Sequence, residues 1–137
     1  MEMPRRKRLR IYLFLALAVL LLVGAALTLA RLTIMGNRLA AGYESIEPVD
    51  VAALRDGTYR GEFRDFLVRV DVAVEIAGGS IREVRILEQD SGPGYEAAEI
   101  PGRIVEAQSP RVDVVSGATG SSKAIMTAVY RAITGRQ

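Results

Sequence analysis

Asp113-Val114-Val115-Ser116-Gly117-Ala118-Thr119-Gly120-Ser121-Ser122-Lys123 joins an apolar, β-branched segment to a run of apolar residues at helical spacing. From Lys123 onward Ala124, Ile125, Ala128, Val129, Ala132 and Ile133 recur so as to bury one face of a helix. Gly135 lies just beyond, where a helix end favours glycine. Upstream, Val112 and Val114 predict a short strand that delivers the loop, and Ser121 or Ser122 is the expected helix N-cap. Gly117 and Gly120 let backbone N–H groups approach a ligand closely. A small-residue loop running into a helix N-terminus suits an anionic group such as phosphate, and Lys123 adds a cation one turn after Thr119. The glycine and lysine spacing is not that of a P-loop, and turns of this kind also cap helices without binding anything.

Working outward, residues 66–76 read as the clearest strand. Phe66, Val68, Val70, Val72, Val74 and Ile76 alternate with Leu67, Arg69, Asp71, Ala73 and Glu75, as in an antiparallel sheet covered on one side. Residues 57–63 predict the strand before it, and Ala77-Gly78-Gly79-Ser80 a hairpin turn. Residues 81–87 return with Val84 and Ile86 inward. A loop follows at Asp90-Ser91-Gly92-Pro93-Gly94-Tyr95, then a helical segment restarted at Pro101 with Ile104 and Val105 on its apolar side. Strands followed by helices without regular alternation make this an α+β domain.

The N-terminal third differs in kind. Residues 11–30 carry no charge, and at helical rise they span about 30 Å, the thickness of a bilayer's hydrocarbon core. Arg5, Arg6, Lys7, Arg8 and Arg10 precede them. The positive-inside rule therefore keeps residues 1–10 in the cytoplasm as a basic tail and sends the rest of a single-pass cell-membrane protein across the bilayer. A cleaved signal peptide has a shorter apolar core, so an uncleaved anchor is favoured. Residues 31–49 read as a connector, with breaks at Gly36-Asn37 and Ala41-Gly42 and helix-extending Leu32, Ile34, Met35 and Leu39. Asp50 is the expected cap of a single helical turn at the start of a domain spanning 50–137.

Composition narrows the chemistry. The chain has no Cys and no His, which excludes disulfides, thiolate metal sites, Cys nucleophiles and His bases, and no metal site is predicted. Any redox work must come from a bound cofactor. The net charge of +2 is concentrated in the basic tail, and the remainder is slightly acidic, so no nucleic-acid partner is expected.

Asp113-Val114-Val115-Ser116-Gly117-Ala118-Thr119 resembles the Asp-x-x-Ser-Gly-Ala-Thr signature of the FMN-binding domain family, which includes flavin-bearing subunits of sodium-pumping NADH:quinone reductase and related membrane redox complexes. The segment from Asp50 through Asp56-Gly57-Thr58-Tyr59-Arg60-Gly61 resembles the family's opening strand, and residues 98–109 its helix before the motif. The resemblance implies that a flavin transferase, using FAD and a divalent metal, esterifies FMN through its phosphate to Thr119. It implies that Asp113 and Ser116 serve transferase recognition or loop shape, that Gly117, Ala118 and Gly120 give access, and that Lys123 can pair with the phosphodiester. Asp113 can alternatively hold the turn by accepting backbone N–H bonds. Among Tyr59, Phe63, Phe66, Tyr95 and Tyr130, Tyr95 is the candidate to seat the flavin ring. The implied protein is an extracytoplasmic electron carrier between membrane or extracytoplasmic redox proteins. The rivals are a non-covalent FMN sensor or assembly subunit and, more remotely, a hydrolase using Ser121 or Ser122 with Lys123.

Overall fold

The computed structural model describes residues 5–136. Helix α1 is Arg5–Glu44, strands β1, β2 and β3 are Gly57–Arg64, Arg69–Ala77 and Ser80–Asp90, and helices α2 and α3 are Ile100–Ala107 and Thr119–Thr134. The chain divides into two compact units, one ending at Ile34 and the other running from Met35 onward. In the first unit, α1 is long and apolar enough to cross a membrane, and none of its apolar span is buried. Leu20, Leu21 and Leu22 are among its exposed side chains.

The second unit is α+β. Its antiparallel sheet has the order β1-β2-β3. Val70, Val72, Val74 and Ile76 of β2 are buried, as their alternation requires. Helix α3 packs on β1 and β2, and α2 on β3. On the opposite face, Glu62–Arg64, Arg69–Glu88 and Glu83–Arg85 form ion pairs at 2.8, 3.2 and 3.3 Å, too exposed to add much stability.

The β2–β3 hairpin turns at Gly78 and Gly79, with φ of +59° and +72°, a two-residue turn that suits glycine at both positions. Asp50 caps the 3-10 turn Val51–Ala53, accepting from Ala52 N–H at 3.1 Å. Pro101 occupies the first turn of α2, where its missing N–H costs nothing. Gly135 closes α3 with φ +67°.

Several elements depart from expectation. Strand β2 begins at Arg69 rather than at residue 66, because Asp65 N–H donates to Val68 O (2.8 Å) and the Asp65 carboxylate accepts from Phe66 N–H (2.8 Å), closing a loop. In β3, register shifts place Ile81 opposite Ile76 and Val84 opposite Val74, so two residues three apart both face the core, while Ile86 is half-buried. Residues 111–115 form no strand. Nor does α1 break at Gly36-Asn37 or Ala41-Gly42, and Leu39, Tyr43 and Ile46 join the core of the second unit. A Cβ at Gly42 would lie 3.1 Å from Thr127 Cγ2, so glycine there permits close approach of α1 to α3.

Gln108 links α2 to the sheet. Its side chain accepts from Ile81 N–H (2.8 Å) and donates to Ile81 O (2.9 Å) and Val105 O (2.6 Å), from a backbone at φ +51°. Gln108→Ala keeps the unfavourable φ and removes all three bonds. Chemical denaturation should show a loss of about 2 kcal/mol or more, since each orphaned partner carries a penalty of about 1–3 kcal/mol.

Candidate functional site

The segment before α3 lacks a strand because side chains satisfy its backbone. Arg103 donates to the carbonyls of Asp113 (3.0 Å) and Val114 (3.3 Å), braced by Glu99 at 2.7 Å. Val112 N–H points at Met126 Sδ, 3.3 Å away. Val115 N–H donates to Ser122 Oγ (3.0 Å), and that hydroxyl donates to Ala118 O (2.8 Å). Ser122 is therefore a buried staple between loop and helix, not an N-cap. Residues 115–118 make a type II turn, with Ala118 N–H donating to Val115 O (3.0 Å) and Gly117 at φ +81° in the position that demands it.

Helix α3 starts at Thr119, four residues earlier than the apolar periodicity indicates, with Ala118 as N-cap and no side-chain cap bond. Ser121 is buried as well. The N–H groups of Thr119, Gly120 and Ser121 have no backbone acceptor among the described residues. The Thr119 side chain is exposed, and its hydroxyl makes no hydrogen bond among those residues. Ser116 and Gly117 are exposed beside it, and a Cβ on Gly117 would meet nothing within 4 Å. Asp113 is exposed, and its carboxylate accepts no backbone N–H among the described residues, so it does not brace the turn.

Lys123 is half-buried, with Nζ 5.0 Å from the centre of the Tyr43 ring, and the Arg111 guanidinium lies 4.6 Å from the same centre. Leu39 Cδ2 is 3.7 Å from the place a Cβ on Gly120 would take. The last turns of α1 thus bring an aromatic ring against two cations, Arg111 before α3 and Lys123 in its first turns. Neither Tyr43 nor Arg111 stood out in the sequence. Tyr43 falls in what reads as a connector, and its spacing of four from Leu39 was the available signal. The other aromatics lie elsewhere. Phe63 and Tyr130 are core, and Tyr95 is exposed in its own loop, its N–H donating to Gly92 O (3.4 Å).

An exposed hydroxyl at a helix start, beside a turn without bulk and one helical turn before Lys123, fits a phosphate ester. The three unpaired N–H groups and Lys123 favour an anion there, and Tyr43 offers an aromatic surface. Residues 67–134 match the FMN-binding domain model. The folded domain of this chain belongs to the FMN-binding domain family. An uncharacterized protein of Treponema pallidum (strain Nichols) is 34% identical over 83 residues, covering 58% of this chain and 23% of that protein. The chain therefore spans about a quarter of the length of that relative. As an FMN-binding domain protein, it is a flavin-binding protein with FMN as its cofactor.

The hydrolase alternative finds no support in this FMN-binding domain. Ser121 and Ser122 are buried, and the Ser122 hydroxyl is committed to a backbone carbonyl. Ser122→Ala orphans Val115 N–H and should cost about 1–3 kcal/mol. It should also slow any modification of Thr119, because the turn loses its tie to α3. Denaturation melts and the rate of flavin incorporation check both effects.

Proposed function

We propose that this protein carries FMN covalently on Thr119 and relays electrons from a membrane anchor, with its folded domain outside the cytoplasm. The observation that carries the reading is the Thr119 hydroxyl: exposed, without a partner among the described residues, and set in a stretch that matches the family's attachment motif. No base among the described residues is hydrogen-bonded to that hydroxyl, so in this reading a separate flavin transferase activates it. In that transfer, the bond formed joins Thr119 Oγ to the FMN phosphorus. The bond broken is the pyrophosphate of FAD, AMP leaves, and the hydroxyl proton passes to the transferase.

When bound, FMN supplies one- and two-electron transfer. The chain's own residues then orient and hold. The α3 N–H groups and Lys123 would face the phosphodiester, the 115–118 turn leaves it room, and Tyr43 offers a face for the ring. Ser116, Gly117, Ala118 and Gly120 shape the access, and Asp113, exposed and unengaged, is available to the transferase. Support for the anchor comes from the apolar span of α1, and support for its orientation from the basic residues before it.

Full-length protein produced with a flavin transferase, FAD and a divalent metal should give a fluorescent band on a denaturing gel. Flavin released completely by denaturation would instead indicate non-covalent binding and overturn the ester.

A further inference from the structure

Two cations meet one ring in the folded unit, and no described residue neutralises either. The Arg111 guanidinium lies 4.6 Å and Lys123 Nζ 5.0 Å from the centre of the Tyr43 ring. All three residues belong to the unit that runs from Met35 onward. Both charges lie near one centre, hence within about 10 Å of each other, one Debye length at 0.1 M salt. Neither side chain has an ion pair among the described residues. Glu44 and Asp113, the carboxylates nearest to Tyr43 and Arg111 along the chain, are exposed and pair with neither cation.

The backbone at Arg111 is also held. Ser109 Oγ accepts from Arg111 N–H (3.2 Å) and donates to Arg111 O (3.1 Å), and Pro110 between them is buried. A Ser-Pro-Arg corner is thereby fixed at the head of the segment that delivers Thr119. Lys123 stands four residues after Thr119, on the same face of α3. Tyr43 therefore gathers cations from both ends of the 111–123 segment. A cation on a ring at an exposed site stabilises little, and a second like charge beside it repels. An anionic ligand shared by the two removes that repulsion.

We propose that Lys123 and Arg111 divide one flavin between them. Lys123 takes the phosphodiester on Thr119, while Arg111, braced on Tyr43, takes the N1–C2=O edge of the ring and raises its reduction potential. Two electrons from a donor and one proton from solvent convert the neutral oxidised ring into an anion whose charge lies on that edge, and charge nearby tunes the cofactor. A guanidinium there favours the reduced form, and its planar fork matches the adjacent nitrogen and oxygen in paired hydrogen bonds. This assignment rests on Thr119 as the attachment point. A purely structural contact between Arg111 and Tyr43 would be indifferent to the redox state of the flavin.

Full-length protein matured with a flavin transferase, FAD and a divalent metal is titrated with dithionite against a reference dye, and the midpoint potential is read from flavin absorbance. Arg111→Gln should disfavour the reduced form about tenfold, which for two electrons lowers the midpoint potential by about 30 mV. Arg111→Lys keeps the charge and should recover most of that shift. Arg85→Gln removes an equal charge from the opposite face of the sheet and should leave the potential in place. Raised salt should bring the unsubstituted protein toward Arg111→Gln.

A fluorescent Arg111→Gln band on a denaturing gel with an unchanged potential overturns the role of Arg111 and leaves the attachment intact. Equal shifts from Arg111→Gln and Arg85→Gln assign the effect to net charge and overturn the contact. Arg111→Gln protein that keeps its melting temperature but takes no flavin assigns Arg111 to the transferase and overturns the proposal. Absence of covalent flavin from the unsubstituted protein overturns the attachment and this assignment together.

Discussion

Full-length protein carrying Thr119→Ala is expected to leave a flavin transferase reaction colourless on a denaturing gel and unchanged in mass. The loss should be complete, because the ester has no other oxygen at that position. It should also be clean. Thr119 is exposed, and its hydroxyl bonds to no described residue, so stability should change by no more than about 0.5 kcal/mol. Thr119→Ser keeps the hydroxyl at the same helix position and should retain a fluorescent band at a reduced rate. Ser116→Ala leaves the acceptor in place and should stay modified. Ser121→Ala should stay modified too, since Ser121 is buried and cannot compete as an acceptor. A fluorescent Thr119→Ala band would move the attachment elsewhere and undo the assignment of the loop.

Gly61→Val should be the most damaging single substitution in the folded unit. Gly61 lies on β1 against α3, where a Cβ would collide with Ala128 O and come within 2.6 Å of Ala132 N and 2.8 Å of Ala132 Cβ. Two of those three obstacles are backbone, so α3 as a whole must move. Overpacking typically costs about 1–3 kcal/mol, and rigid neighbours place this case at or above the upper end. Amide exchange in β1 and α3 should then accelerate about a hundredfold, the change that about 3 kcal/mol makes in a local opening equilibrium. Flavin incorporation should fall with it, because Thr119 is the first residue of the displaced helix. Unchanged exchange protection in α3 would show that the strand and helix are not in register as described.

Where local pattern and packing agreed, the fold was legible. The alternation along β2 identified its buried face, and the paired glycines at 78 and 79 fixed the hairpin. The candidate motif was legible only through its resemblance to the family signature, because turns of small residues before an amphipathic helix also cap helices without binding anything. What escaped was set by tertiary partners. Val112 and Val114 have strand composition, yet Arg103, Met126 and Ser122 take the backbone groups that a neighbouring strand would have used. Ser121 and Ser122 have capping chemistry, but burial against the turn draws them inside the helix. Gly42 reads as a break because glycine weakens helices, whereas here it makes room for Thr127. Tyr43 was hidden for the same reason: its neighbours Arg111 and Lys123 are distant in sequence and meet only when α1 packs beside α3.

The attachment claim can be read from a single peptide. Trypsin cuts after Arg111 and Lys123 and releases residues 112–123, which contain Thr119 together with Ser116, Ser121 and Ser122. Mass spectrometry of that peptide, from full-length protein matured with a flavin transferase, should show the addition of FMN less water, with fragment ions placing it on Thr119. An unmodified peptide, or an FMN adduct on one of the serines, would contradict the account.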